Sequence, residues 1–257
     1  PVILSCVGKD FDRYADWMQQ NGLPLDGIRT IEEEFTAGAY ITTDLKDNQI
    51  TGFNMGAMMQ PCEFDFGDPD PADCMGIISP GNVDDMLGLA AFYKEKGIPY
   101  IFDPGQQITV ITGEQLLEAL TGSYILISND YELEMIMKAT GKTRDEILAR
   151  TTYLITTLGE EGSVIRQGCE PDGQCEQKIT IGSAKAEAVV DPTGCGDAYR
   201  SGLLKGLGDG MDIPAACRLG AVCASFCVEQ KGTQEHNFDD AAIRARHSAA
   251  FGTGTSD

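Results

Sequence analysis

The chain has 257 residues, of which 42% are hydrophobic, and it carries 40 acidic against 19 basic side chains, a formal net charge of −21. Phosphate backbones and anionic lipid surfaces are bound by Lys and Arg, so this charge excludes nucleic acid and membrane surfaces as partners; a solvated acidic surface or adaptation to high intracellular salt would each produce it. The hydrophobic content predicts a globular protein with a substantial packed core, and no apolar run reaches the length of a membrane span.

The first elements in the chain are predicted to be a strand, a helix and a β-hairpin. Residues 2–7 (VILSCV) form a short apolar run that predicts a strand, and residues 11–22 predict a helix ended by glycine. In residues 34–58, the segments EFTAGAYITTDL and QITGFNMGAM flank the polar turn of Lys46, Asp47 and Asn48. This pattern predicts a β-hairpin inserted into a chain that otherwise alternates strands and helices.

From residue 74 onward, short apolar strands alternate with amphipathic helices. Such alternation predicts a mostly parallel sheet covered by helices on both faces, with ligands at the carboxyl ends of the strands. The polar tail, residues 251–257, is expected to be disordered. The predicted strands are residues 74–79, 99–105, 123–128, 152–159 and 162–168, and the predicted helices are residues 83–97, 114–120 and 130–140.

A glycine-rich turn at residues 193–196 follows a predicted strand, AEAVV (residues 186–190), and precedes a predicted helix, DAYRSGLLKGL. Glycine lets the backbone approach a ligand closely, and the free N–H groups of a first helical turn bind anions, so this junction predicts a phosphate site. Asp197 follows directly, where a carboxylate would repel an anion unless it accepts the proton of an attacking hydroxyl. On spacing alone, the simpler interpretation is that Asp197 caps the helix.

The segment DPTGCGDAYRSGLL, residues 191–204, resembles the second signature of the ribokinase-like (pfkB) carbohydrate and nucleoside kinases. The resemblance implies an α/β protein with a ribokinase-like, three-layer α/β/α fold and a mostly parallel sheet. Residues 34–58 would form a small β-sheet lid over it. Cys195 stands where Ala is commoner, and its place at a helix N-terminus leaves a redox-active thiol as an alternative. The implied roles are catalytic base for Asp197, anion hole for Gly194, Cys195 and Gly196, and the border of a monovalent-cation (K⁺) site for Asp191 and Thr193.

Other segments resemble the family at corresponding places. Asn129 and Glu132 match an Asn-x-x-Glu motif that positions Mg²⁺ and phosphate through water, although Asn129 alone is more simply a helix N-cap. Residues 157–162 are similar to a turn that contacts the nucleotide in this family. A plain hairpin turn would explain their sequence almost as well. Cys223 and Gly232 lie where relatives build the adenine pocket. The implied nucleotide-binding residues are therefore Asn129, Thr157, Gly159, Glu160, Gly162, Cys223 and Gly232.

The nine cysteines follow no disulfide-framework spacing, which is typical of a protein from the reducing cytoplasm. Cys217, Cys223 and Cys227 invite a metal-site interpretation. Their spacing within AACRLGAVCASFCV instead predicts one buried helical stripe, because no CxxC pair or nearby His supports a metal site.

The hairpin sequence, with its TTDL, NQIT and GAM segments, is closer to bacterial adenosine and nucleoside kinases than to ribokinase or fructokinase. The resemblance therefore implies transfer of the γ-phosphoryl group of ATP, with Mg²⁺, to the ribose 5′-hydroxyl of adenosine or a related nucleoside. The protein is expected to act in the cytoplasm as a monomer or homodimer. Two alternatives stay open: a sugar kinase of the ribose or fructose type, and a non-catalytic nucleotide- or nucleoside-binding relative.

The family pattern also has a strand, an acidic residue, a lid strand and a di-glycine helix before the equivalent of PVILSCVGKD. These parts have no counterpart in this sequence. We therefore expect residues 1–257 to be a single kinase domain that lacks its N-terminal sequence.

Overall fold

The computed structural model describes residues 1–43, 49–168 and 177–252 of the chain. The N-terminal part forms two small two-stranded sheets outside the central sheet. Strand β1 (Ser5–Gly8) pairs in parallel with β2 (Ile28–Ile31), and helix α1 (Asp12–Gln20) lies between them in the chain. Strands β3 (Gly38–Thr43) and β4 (Gln49–Asn54) form an antiparallel hairpin.

The hairpin prediction is confirmed, although its turn at Lys46, Asp47 and Asn48 lies outside the described residues. The predicted strand at residues 2–7 is wrong in position, because β1 begins at Ser5 and ends at Gly8. Cys6 and Val7 are buried whereas Val2 is exposed, so only the second half of the apolar run packs. Its partner β2 has no alternating pattern that would have predicted it.

Within the described ranges, the central sheet has six strands in the order β10-β9-β8-β7-β6-β5. The strands β5 to β8 run parallel. At one edge, β9 pairs antiparallel with β8, and β10 pairs antiparallel with β9. Strand β10 was not expected from the sequence. The bounds are β5 (Gly76–Ile78), β6 (Tyr100–Phe102), β7 (Ile125–Asn129), β8 (Tyr153–Thr157), β9 (Ser163–Gln167) and β10 (Gln177–Ile181).

Helices cover both faces of this sheet, as the alternating pattern predicts. Leu126 of β7 faces a core that it shares with α2 (Val83–Lys96), α3 (Gly113–Leu120), α4 (Asp130–Thr140) and α5 (Arg144–Leu148). Its neighbours Ile125 and Ile127 face a second core on the opposite side of the sheet. This two-residue period places one apolar layer on each side of the strand and produces a three-layer α/β/α arrangement.

The second core is closed by α6 (Cys195–Gly208) and α7 (Ile213–Cys227), and α8 (Asp240–Phe251) follows. The prediction of a strand at residues 186–190 is wrong: Val189 and Val190 are exposed and belong to no sheet. The Val190 N–H instead donates to the carbonyl of Val228 at 2.8 Å. In the predicted tail, Phe251 ends α8, and residues 253–257 lie outside the described part of the chain. None of the helices described is both long and apolar enough to cross a membrane.

Candidate active site

The first turn of α6 carries Asp197 at a helix end that no side chain of the described residues caps. The N-cap residue, Gly194, has φ +85°, a conformation that favours glycine, and a Cβ there would lie 3.1 Å from Thr233. The N–H of Cys195 donates to the carbonyl of Pro192 at 3.1 Å. The next two amides, of Gly196 and Asp197, have no partner within the helix, because first-turn N–H groups never do. This end of α6 therefore offers two adjacent donors beside a carboxylate.

Asp191 organises the loop before this helix. Its Oδ1 accepts the N–H of Thr193 at 2.9 Å, and its Oδ2 accepts the N–H of Gly232 at 3.0 Å. Hydrogen bonds from the side chain and backbone of Thr193, and from the backbone of Gly232, lower the pKa of Asp191. The carboxylate thus stays ionised and ties residues 191–193 to the loop after α7.

The loop after α7 also contacts the N-terminal part of the chain. The Oη of Tyr14, on α1, donates to the Oε1 of Gln234 at 2.8 Å. Since Gln234 follows Thr233, which packs against Gly194, the hydrogen bond connects α1 to the segment that borders the start of α6.

Asn129 and Glu132 form a reciprocal capping box at the start of α4. The Asn129 Oδ1 accepts the N–H of Glu132 at 2.7 Å, and the Glu132 Oε2 accepts the N–H of Asn129 at 2.8 Å. The N-cap interpretation of Asn129 is therefore confirmed. The Oε1 of Glu132 and the Nδ2 group of Asn129 take no part in these two bonds, and both residues stand at the carboxyl end of β7.

Strand register brings the predicted nucleotide turn next to Asn129. Thr157, the last residue of β8, is the direct partner of Asn129 in β7 and of Ser163 in β9. The Oγ of Ser163 lies 2.8 Å from the Oη of Tyr199, two residues after Asp197 in α6. Asn129, Thr157 and the first turns of α6 are therefore assembled at one edge of the sheet.

The turn between β8 and β9 has a backbone that requires glycine. Gly162 has φ +90°, and a Cβ there would lie 2.1 Å from the carbonyl oxygen of Ile181. Gly159 begins a short 3₁₀ turn that includes Glu160, whose carbonyl accepts the Oγ of Ser183 at 2.7 Å. The turn is thus fixed to the end of β10 and keeps a defined shape.

Cys223 and Cys195 lie in one small apolar cluster rather than in an open cleft. Cys223 packs with Ala198, Leu219 and Cys227, and Cys195 contacts the same cluster. Burial raises the pKa of the Cys195 thiol to about 12, so it stays protonated at neutral pH, which disfavours the redox alternative. Cys217, Cys223 and Cys227 are all buried along α7, but the prediction of one stripe is wrong, because Cys217 packs in the second core against the sheet whereas Cys223 and Cys227 pack with Ala198 and Leu219. In the described part of the chain, no three His, Cys, Asp or Glu side chains converge as a metal site would need.

Sequence reasoning missed an ion pair at the same edge of the sheet. Asp103, directly after β6, is 2% exposed, and the Nη2 of Arg200 donates to its Oδ1 at 2.9 Å while the Arg200 Nε contacts Oδ2. Burial raises the pKa of Asp103 from 3.8 to about 6, with Arg200 opposing the shift and Glu132 and Asp197 adding to it. One signal was available: Arg200 lies three residues after Asp197, on the same helical face.

A model of the pfkB family of carbohydrate kinases matches residues 1–240 of the chain. The nucleoside kinase of Methanocaldococcus jannaschii is 35% identical over 235 residues, which cover 90% of this chain and 74% of that protein. Its crystal structure, that of an archaeal member of the ribokinase family, has a TM-score of 0.84 at 33% identity, over 96% of this chain and 80% of that one.

The nucleoside kinase of Burkholderia thailandensis is similar to the same extent. Its complex with inosine has a TM-score of 0.86 at 35% identity, over 97% of this chain and 80% of that one. Its complex with ADP-inosine has a TM-score of 0.85, over 97% of this chain and 76% of that one. These likenesses confirm the predicted ribokinase-like fold class.

Proposed function

The chain belongs to the pfkB family of carbohydrate kinases, and from this premise we propose that it phosphorylates the ribose 5′-hydroxyl of a nucleoside, adenosine or a close relative, with ATP as donor. It is a phosphotransferase that acts on a hydroxyl acceptor. The nucleoside acceptor is supported by the two nucleoside kinases that it resembles across most of its length, one of which binds inosine.

The observation that carries the proposal is the position of Asp197 beside the uncapped amides of α6. As the acceptor oxygen bonds to the γ-phosphorus, its proton passes to the Asp197 carboxylate; the bond from phosphorus to the β,γ-bridging oxygen breaks, and ADP leaves. Gly194 shapes the turn of the anion hole. Because the Cys195 N–H already donates to Pro192, we assign the donors that face the phosphate to Gly196 and Asp197.

In this proposal the nucleotide lies along the carboxyl ends of β7 and β8, where Asn129 and Thr157 are paired. The rigid turn of Gly159, Glu160 and Gly162 would support its ribose and phosphates, and Gly232 and the apolar cluster around Cys223 would border the adenine. The β3–β4 hairpin would act as the lid that excludes water from the acceptor.

The side chains present suit both expected cations. Glu132 suits an Mg²⁺ ion bound through water, and the loop of Asp191 and Thr193 suits a monovalent cation. Glu132 keeps one carboxylate oxygen outside the capping box, which suits an Mg²⁺ held through water, and Mg²⁺ supplies neutralisation of phosphate charge. The Asp191 carboxylate accepts two backbone N–H groups and the Thr193 hydroxyl, which leaves one of its four lone pairs for a monovalent cation such as K⁺ beside Thr193.

The test compares acceptors with ATP and Mg²⁺ present. We expect kcat/KM for adenosine or inosine to exceed that for ribose and fructose by about tenfold or more, because a nucleoside pocket gains binding energy from the base. The product is identified by mass spectrometry. A higher value for either sugar would make the protein a sugar kinase, and ATP binding by calorimetry without turnover on any acceptor would make it a non-catalytic binder.

A further inference from the structure

The side chain of Arg200 in α6 places its guanidinium next to Gly196, in the first turn of the same helix. A Cβ added to Gly196 would stand only 2.7 Å from the Nη1 of Arg200, closer than side-chain atoms approach one another. A side chain at position 196 would therefore displace the Arg200 guanidinium, although the φ of Gly196 is not in the left-handed region. The neighbouring guanidinium of Arg200 therefore accounts for a glycine at this position.

Arg200 is held in this place by a buried carboxylate. Asp103 is 2% exposed, its own N–H donates to the carbonyl of Ile78 at 2.8 Å, and both of its carboxylate oxygens face the guanidinium. The hydrogen bond from Nη2 to Oδ1 and the charge contact between Nε and Oδ2 together hold the guanidinium against this buried carboxylate. The ion pair thus connects the carboxyl end of β6 to the second turn of α6.

We propose that Arg200 is a positioning residue for phosphoryl transfer: held by Asp103, its guanidinium supports the backbone at Gly196 and so fixes the anion-hole amides and Asp197. The inference rests on the roles proposed above for Gly196 and Asp197, but not on the identity of the acceptor. Neither Arg200 nor Asp103 is assigned to contact substrate. Their contribution acts through the helix end that they hold.

The kinetic test uses conservative variants of the pair. Arg200→Lys keeps the charge but loses the fork, and Asp103→Asn keeps the shape but loses the charge. We expect each to lower kcat by about tenfold or more with less than a threefold change in KM for ATP, because misplaced amides lose contact with the transition state first. The double variant should fall about as far as the worse single variant, since the two side chains act as a unit.

The matched control is Lys205→Gln, which removes the exposed Lys205–Asp209 ion pair from the same helix. Its kcat should equal that of the unmodified protein. Circular dichroism and thermal unfolding measure the folded fraction of every variant. An unchanged kcat per folded molecule in Arg200→Lys and Asp103→Asn, or losses that simply add in the double variant, would reduce the pair to an architectural contact and overturn the proposal.

A second cycle tests the contact with Gly196. Gly196→Ala should lower kcat about tenfold or more in the unmodified protein but by less than about threefold in the Arg200→Lys background, where the displaced group is already absent. Equal losses in both backgrounds would mean that Gly196 serves the ligand alone and that Arg200 does not support it.

These outcomes are separable from a failure of the proposed function. Turnover is measured with whichever acceptor the unmodified protein prefers, and also as phosphate release from ATP with water as acceptor. Lack of nucleoside phosphorylation would end the nucleoside assignment, whereas the ratios between variants would still decide the role of Arg200.

Discussion

Replacing the Asp197 carboxylate by an amide removes a proton acceptor while leaving the size of the side chain and the start of α6 unchanged. We expect Asp197→Asn to lower kcat by about 10²–10⁴-fold, the usual worth of a general base, with ATP affinity retained. Steady-state kinetics and calorimetry measure the two quantities. Asp209→Asn, at the other end of the same helix, is the control, and a loss of only a few-fold at Asp197 would remove it from the role of base.

Asp103 predicts an unusual dependence of stability on pH. Burial raises its pKa to about 6, so the folded protein binds a proton that the unfolded chain, with an ordinary value of 3.8, releases. This carboxyl therefore adds stability as pH falls from about 6 towards 4, whereas a carboxylate with a lowered pKa loses it. Arg200, Glu132 and Asp197 are the charged groups that act on it.

The measurement is the melting temperature of the unmodified protein and of Asp103→Asn between pH 7 and pH 5. We expect the melting temperature of the unmodified protein to rise relative to that of the variant as the pH falls. Its turnover should fall over the same range, because a protonated Asp103 holds Arg200 less firmly. A melting temperature of the unmodified protein that falls relative to that of the variant over the same range would show that the sign is wrong.

At the scale of elements, the contact between α6 and α7 depends on small residues. A Cβ at Gly202 would lie 2.7 Å from the Cα of Gly220, so the two helix backbones touch there. We expect Gly202→Ala to destabilise the protein by about 1–3 kcal/mol, the usual cost of overpacking. Urea unfolding measures the change. Gly208→Ala on the same helix, where a Cβ would meet nothing within 4 Å, is the control and should unfold no earlier than the unmodified protein.

Elements with strong local signals could be predicted from the sequence. Helix α2 has Asn82 as N-cap and Gly97, at φ +70°, as C-cap, and β7 begins with the apolar residues 125–127, so both are specified by nearby residues. Residues 186–190 have the valines of a strand but no neighbouring strand to pair with, and local propensity cannot show that. Strand β2 has no alternating pattern of its own, whereas Ile179 and Ile181 of β10 alternate with polar residues, a strand signal that was missed.

The candidate site divides in the same way. Residues 191–197 form one contiguous motif, and Asn129 and Glu132 are only three residues apart, so both groups could be found from spacing. The pair of Asp103 and Arg200 joins residues 97 positions apart, and only the folded sheet brings them together. Spacing also could not show that the Cys195 amide is already engaged by Pro192.

At the scale of the whole molecule, the net charge of −21 should make stability depend on salt. Like charges repel in the compact state, and salt screens them over a Debye length that falls from about 30 Å at 0.01 M to about 8 Å at 0.15 M. We therefore expect the melting temperature to rise with NaCl over this range. An equal rise in KCl would reflect screening alone, whereas a larger rise in KCl would support the cation site at Asp191 and Thr193. No rise in either salt would contradict the prediction.

The hydrogen bond from Tyr14 to Gln234 has a consequence for how the protein is made. The two residues are 220 positions apart, so at ~5–20 residues per second a ribosome needs about 10–45 s to deliver the second after the first. Over that interval the sheet from β5 to β9 can already form, but the start of α6 still lacks the loop that borders it. A nascent chain would therefore acquire its scaffold well before its catalytic pocket, and α1 would wait longest for its partner.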